Sequence, residues 1–464
     1  MTTAPNPPTP LQNTHALHGQ PIDFVSQHRA RSYKGQHTPD PAAPIVVHCH
    51  LRWDFVWQRP QQIFSRLALH HRILFLEDAM GGEGLPRLEI TQPLGGVVRV
   101  VPVIPQCEAM DVDTVSAAVL ALLQQALRSH PLLVKQFYAP IQWFYSPMTA
   151  PCFIGKLAAV AVVYDCMDEL ANFRFAPADI AAREKFLLAR ADLVFTGGHQ
   201  LFQAKSRLHP NTHFFGCGVD VAHFGNARLE QTQVPAEITR LAGPVLGYFG
   251  VIDERLDYEL LAQLAASFPD ASVVMVGPFA KVDPASLPRA PNIHWLGPRP
   301  YAELPAVVKG FDVCLMPFAM NAATQYINPT KTLEYMASGK PVVSSAVPDV
   351  VRNFTPVVQI GDSHESFITA VDRAINQPDP HAIEQGLARA NAASWEETVA
   401  SMRALMLRPT RQPGVSAAPQ QMSITVEPAI QVRADSPAQR KKWPAAQVAA
   451  AAVRADPMEE GNRA

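Results

Sequence analysis

Between residues 45 and 408, short apolar runs alternate with segments of helical period. Residues 45–47, 73–76, 98–103, 159–164 and 193–196 read as strands. A helix is predicted from about residue 60 to 69, and another, carrying Phe186, Leu187 and Arg190, precedes the last of these strands. A second series starts at 245–249. There Leu260, Leu261, Leu264 and Phe268 fall on one face of a 3.6-residue period. Strands at 273–276, 293–296, 313–316 and 342–344 follow. Continuous Val/Ile runs separated by helices indicate parallel sheets covered on both faces. Two such series, split near 225–242, predict an α/β fold of two doubly wound, Rossmann-like domains with a cleft between them.

Composition narrows the class. A chain of 464 residues with 48% hydrophobic positions can bury more than one core. Lys and Arg total 39 against 41 Asp and Glu, for a net charge of -2; no basic field marks a nucleic-acid binder. The chain has 43 prolines, and its two ends are enriched in them. Residues 1–44 hold eight of them and read as a disordered arm, and residues 411–464 read as a disordered tail. The small basic knot Arg440-Lys441-Lys442 allows peripheral contact with anionic lipid or an acidic partner, with a plain solvated tail as the alternative. The longest clear apolar run, 157–164, is far short of a membrane span, and the first residues lack the pattern of a secretory leader. The chain is therefore expected to be soluble and cytoplasmic. The six cysteines are scattered without a CxxC pair. In His48-Cys49-His50 the strand period puts the two histidines on one face and the cysteine on the other, which reads as a strand end rather than a metal cluster.

The stretch from Asn328 to Val343 carries the most chemistry. Asn328 is a predicted N-cap, Pro329 suits the first helical position, Gly339 suits C′, and Pro341 stops the helix before the next strand. Such a helix start at the carboxyl edge of a parallel sheet can hold an anion near Thr330 and Lys331. Glu334, three residues on, shares a face with Lys331 and can accept from vicinal hydroxyls, so diphosphate and ribose would suit the pair. The plain alternative is a surface i,i+3 ion pair between Lys331 and Glu334.

Residues 328–343 resemble the C-terminal-domain signature of the group 1, family 4-like, retaining GT-B glycosyltransferases, commonly E-A-x-A-x-G-x-P-V-V. Three further stretches resemble that family in the expected order: Ala191 to Thr196 with Gly216 to Asp220 and Phe224; Gly247-Tyr248-Phe249-Gly250 with Arg255; and Ile293 to Gly297. Arg52-Trp53-Asp54, Gln58 to Gln62 and Tyr164 to Asp168 look like an exopolysaccharide or teichuronic-acid branch. Trp395 and the helix to about residue 407 resemble the family's closing segment.

The resemblance implies a hexosyltransferase that moves a sugar from a UDP- or GDP-linked donor to a saccharide or lipid-linked acceptor, with retention, without a metal and without a protein nucleophile. With a lipid-linked acceptor, the chain would work at the inner face of the membrane. It implies an acceptor domain over 45–225 with a crossing helix at 393–408, and a nucleotide-sugar domain over 226–392. Glu334 would take the ribose hydroxyls. Arg255 and Lys331 would take the diphosphate, Gly250 would let the backbone approach it, and Gly277, Pro278 and Arg299 would sit near the base. The family's second carboxylate, eight residues before the glutamate, is replaced by Tyr326, so donor-sugar contacts would fall to Tyr326 or Asn328. The basic residue expected five after Arg255 is replaced by Leu260.

In the first half, His50, Asp54 and Arg59 follow the first strand and are acceptor candidates; for Arg59 the alternative is a surface charge at a helix start. Asp168, with Glu169, is the candidate for receiving the acceptor proton, and a helix N-cap is its alternative. Gln142-Trp143-Phe144-Tyr145 reads as aromatic core in preference to a lipid-binding strip. A nucleotide-sugar epimerase and a non-enzymatic scaffold of the same fold are the competing readings.

Overall fold

The computed structural model describes residues 40–408. Of the arm expected over 1–44, residues 40–44 are described and Ala43 is buried in the first sheet's core, so the expectation fails there. Residues 1–39 and the 411–464 tail lie outside the described residues.

Two sheets organise the chain. The first contains β1 (Ile45–Cys49), β2 (Ile73–Glu77), β3 (Arg87–Leu94), β4 (Val97–Val103), β5 (Ile141–Phe144), β6 (Ala161–Cys166), β7 (Leu193–Thr196) and β8 (Thr212–Phe214), in the spatial order β3-β4-β2-β1-β5-β6-β7-β8. All neighbours are parallel except β3 and β4. The second contains β9 (Val245–Phe249), β10 (Ser272–Val276), β11 (Ile293–Gly297), β12 (Val313–Met316), β13 (Val342–Ser345) and β14 (Gln359–Gly361), all parallel, in the order β11-β10-β9-β12-β13-β14. Each order reverses direction once, at β1/β5 and at β9/β12, and parallel sheets bind ligands beyond the carboxyl ends of strands at such reversals.

Apolar runs appear where both faces are covered. β1, β2, β5, β6 and β9 are buried throughout, and the aromatic stretch 142–145 is the centre of the first sheet: Trp143 and Phe144 belong to β5 and Tyr145 follows it. Helix α1 (Arg59–Leu67) and helix α2 (Val112–Ser129) cover opposite faces of that sheet. Helix α3 (Ile180–Leu188), α4 (His199–Lys205) and α5 (Val221–Gly225) lead to the second sheet, where α6 (Tyr258–Ser267), α7 (Lys331–Ala337), α8 (Pro348–Phe354) and α9 (His364–Asn376) follow. The last helix, α10 (Trp395–Met406), packs Trp395, Val399, Met402 and Met406 against Ile45, Phe64 and Trp143 of the first sheet's core. Where the chain leaves the first sheet and where it returns, Val219 and Ser394 pair as a parallel bridge, with Val219 N–H donating to Ala393 O at 2.8 Å.

The predicted cap of α7 is corrected. Helix α7 starts at Lys331 with Thr330, not Asn328, in the capping position. Asn328 is drawn out of the helix because its side-chain amide donates to Gly197 O at 3.0 Å, while its carbonyl accepts from Cys217 Sγ at 3.2 Å. Gly339 takes φ 70 just past the helix end, a left-handed conformation that glycine adopts at little cost.

Candidate functional site

A cavity of about 370 Å³ lies between the carboxyl edges of the two sheets, within the 300–1,000 Å³ range of small-molecule sites. Residues Trp53 to Arg59, Met167 and Asp168 line it from the first sheet. Gly250, Arg255, Gly277, Pro278, Arg299, Asn328, Thr330, Lys331 and Glu334 line it from the second.

Its floor is built on two glycines. Gly250 has φ 141 and Gly277 φ 153, and a Cβ on Gly277 would strike the Gly250 carbonyl. A Cβ on Gly250 would occupy the place of Lys331 Cε and Nζ. The absent side chain therefore lets the Lys331 ammonium lie along the end of β9, 5.5 Å from the centre of the Tyr248 ring.

The charges around Lys331 are unequal partners. Burial pushes the Lys331 ammonium below its ordinary value, with the nearby Glu334 carboxylate opposing that shift. Burial likewise pushes Glu334 up, with Lys331 offsetting part of it. Glu334 is 7% exposed, so a surface ion pair is excluded. Arg255 holds Asp253 through Nε at 3.0 Å and Nη2 at 2.6 Å, and its Nη1 faces no acceptor among the described residues. Burial opposes the Arg255 charge, but Asp253 outweighs it and holds the guanidinium protonated. On the other side of the cavity, burial raises the Asp168 carboxyl to about 6 against the pull of Arg255. This arrangement offers two basic side chains and two carboxyls, Glu334 and Asp168, that burial lifts to about 7 and about 6.

The remaining candidates divide. Asp168 caps no helix; Glu169 is the residue before the 3-10 turn Leu170–Asn172. Glu169 is removed from proton transfer because it joins Glu184 in pairing with Lys205, at 2.8 and 2.7 Å. Arg59 is not a surface charge. It is 3% exposed, grips Asp165 at the end of β6 through Nε and Nη2, and donates from Nη1 to Phe215 O at 2.9 Å. Its donors are committed to the fold, so it shapes the cavity wall rather than reaching an acceptor. Asp54 lines the cavity but pairs with Arg99, and Arg299 lines it while paired with Glu237 and Glu303. Tyr326 does not line the cavity. The turn Thr324–Tyr326 swings it toward the first sheet, where its ring packs on that core and its carbonyl borders Gly198. Tyr326 therefore does not supply the donor-sugar contact expected of it. His50 sits in a separate cavity with His48. Among the described residues, no group of three or more His, Cys, Asp or Glu side chains is arranged to hold a metal ion.

Trp57 and Tyr301 also line the cavity, and two contacts join the sheets around it. Tyr301 Oη accepts from Gln62 Nε2 at 2.9 Å, tying the two sheets, and Trp57 lies against the Tyr301 ring at 5.7 Å. Asp349 Oδ2 accepts from His199 N–H at 2.7 Å, so a carboxylate of the second sheet caps α4 of the first. No sequence signal couples these positions, which lie 239 and 150 residues apart.

The fold is GT-B. Solved structures with the same architecture include a sucrose-phosphate synthase from Thermosynechococcus elongatus (TM-score 0.58, 16% identity, 78% of this chain and 98% of that one). An α,α-trehalose 6-phosphate synthase from Burkholderia multivorans also matches, with TM-score 0.56, 13% identity, and 79% and 98% coverage. Residues 243–377, which span every strand of the second sheet and α9, match the family described as glycosyl transferases group 1. A Bacillus subtilis (strain 168) protein, TuaH, provisionally named a teichuronic acid biosynthesis glycosyltransferase, is 33% identical over 141 residues. That match spans 29% of this chain and 36% of the relative's length.

Proposed function

We propose that the chain is a cytoplasmic, retaining hexosyltransferase of the family 4-like group. It moves a sugar from a UDP- or GDP-linked donor to a saccharide or lipid-linked acceptor in polysaccharide biosynthesis. The observation that carries the reading is the convergence of Lys331, Arg255 and Glu334 on the glycine floor of a cavity that Asp168 faces from the other sheet. The match of residues 243–377 to group 1 glycosyltransferases supports it, and the likeness to TuaH supports a polysaccharide product.

In this reading Glu334 accepts hydrogen bonds from the ribose hydroxyls. Lys331 and the free Nη1 edge of Arg255 meet the charge that builds on the departing nucleoside diphosphate, so no metal is needed for that task. Asp168 receives the acceptor proton as the new bond forms on the face the nucleotide leaves.

The test is thermal unfolding with UDP, GDP and ADP, in the wild type and in Glu334→Ala. A nucleotide at about 100 times its Kd adds roughly 2.7 kcal/mol of apparent stability. One nucleotide is expected to raise the wild-type midpoint and to lose that effect in the variant. No response to any of the three would sink the nucleotide reading.

A further inference from the structure

The first sheet carries a second cavity, of about 180 Å³, at the carboxyl ends of β1, β2 and β5 and bordered by α2. Its wall is largely hydrocarbon, from Leu76, Val115, Val119, Met148, Phe153 and Phe173. Set into that wall are two imidazoles. His48 is 3% exposed, stacks on Phe144 at 4.2 Å and has the Gln142 side chain as its polar neighbour. His50 Nδ1 is buried and unpartnered among the described residues. Burial lowers His48 to about 3 and His50 to about 4, so both are neutral, each with one N–H and one lone pair. Unmet polar groups in an apolar wall cost free energy unless an occupant meets them.

The second cavity adjoins the cleft. Phe173 belongs to its wall and has the Arg255 guanidinium carbon 5.9 Å and Lys281 Nζ 5.2 Å from its ring centre. Arg255 belongs to the cleft and Lys281 to the second cavity, so this ring stands between the two spaces.

We infer that the second cavity receives an apolar hydrocarbon group of the acceptor, so that the transferase proposed above acts on a lipid-type acceptor rather than a free sugar. The inference rests on that functional reading. The lining also holds Glu77, Asp78, Arg174 and Lys281. Glu77 is engaged by Arg52 and Arg99 and Lys281 by Glu254, and the long hydrocarbon stretch of the wall favours an alkyl group over a sugar. The size fits a short hydrocarbon: an apolar cavity of about 150 Å³ takes benzene, so one of about 180 Å³ holds a group of roughly seven carbons. Neutral His48 and His50 match a hydroxyl or ether oxygen at the end of that group.

The probe is n-octyl-β-D-glucoside below its micelle concentration, compared with glucose, by saturation-transfer NMR and calorimetry. Octyl glucoside is expected to bind through its alkyl protons and glucose not to bind. Val115→Trp, which fills the cavity, is expected to weaken octyl glucoside at least tenfold while leaving nucleotide-induced stabilisation intact. Leu170→Trp, at the opposite wall, serves if Val115→Trp does not fold. Equal binding of glucose, or unchanged octyl glucoside binding in a folded filling variant, overturns the proposal. If octyl glucoside binds as expected but no nucleotide stabilises the wild type, the transferase reading fails and takes the acceptor assignment with it.

Discussion

Gly250 and Lys331 share one volume: the space a side chain would need at Gly250 is filled by the Lys331 Cε and Nζ atoms. The glycine's φ of 141 is itself a conformation that L side chains rarely adopt. Gly250→Ala should therefore displace the ammonium as well as strain the loop. Nucleoside diphosphate affinity is expected to fall about 10- to 100-fold, the range given by the roughly 1.5–3 kcal/mol of a hydrogen bond to a charged group. Calorimetry checks this, with Lys331→Ala as the matching control; undiminished affinity in Gly250→Ala would remove Lys331 from the diphosphate site.

Asp168 titrates near 6, so it is a base above that pH and a neutral acid below it. Transfer to acceptor should fall as pH drops through about 6, and Asp168→Asn should lower kcat by about 10²- to 10⁴-fold, the usual worth of a positioned base. A loss of less than fivefold in the steady-state rate would show that the carboxylate has another role.

The raised carboxyls also set the pH dependence of stability. Burial lifts Asp78 and Asp168 from 3.8 to about 6, so between those values the folded chain binds more protons than the unfolded one. Their contribution is present at low pH and is lost as pH rises toward 6, and that of Glu334, lifted from 4.5 to about 7, is lost as pH rises toward 7. Urea unfolding at pH 5 and at pH 7 should show less of the decline in Asp168→Asn than in the wild type; identical slopes would argue against the shift.

Arg59 and Asp165 form an ion pair with side chains 4% and 0% exposed. Breaking it from one side leaves a buried charge, so Arg59→Met or Asp165→Asn should cost about 3–5 kcal/mol. Replacing both with apolar residues should cost less than either single change, as measured by urea unfolding.

Asp349 is fully buried and holds the start of α4. Asp349→Ala should speed hydrogen exchange at the His199 amide and cost about 1–3 kcal/mol, as expected for an orphaned buried donor. Unchanged protection at His199 would mean that this contact does not hold the two sheets together.

Most strands were legible because parallel strands buried on both faces must be apolar throughout, as 45–47 and 273–276 are. β3, β5, β8 and β14 were not. β3 is a largely exposed edge strand whose sequence, RLEITQPL, carries no apolar run. β8 and β14 are only three residues long, and β5, although buried and largely apolar, reads as core without a strand being assigned. α2 was overlooked although its signal was present, since Asp111 caps it and Val119, Leu120 and Leu123 are buried at helical spacing. Lys331, Arg255, Glu334 and Asp168 could be picked out from local motifs, and the fold brings them to one cavity. The pairing of Arg59 with Asp165, the turning away of Tyr326 and the bridge from Gln62 to Tyr301 depend on contacts between distant segments, which no local pattern encodes.

Helix α10 is the last described helix to leave the ribosome, yet it completes the core that begins with Ala43 and Ile45. During synthesis the first sheet must wait, with the apolar surface around Phe64 and Trp143 uncovered, until the whole second sheet has emerged. The nascent chain therefore cannot finish its halves one after the other, and its aggregation-prone interval lasts until the final turn of α10 docks.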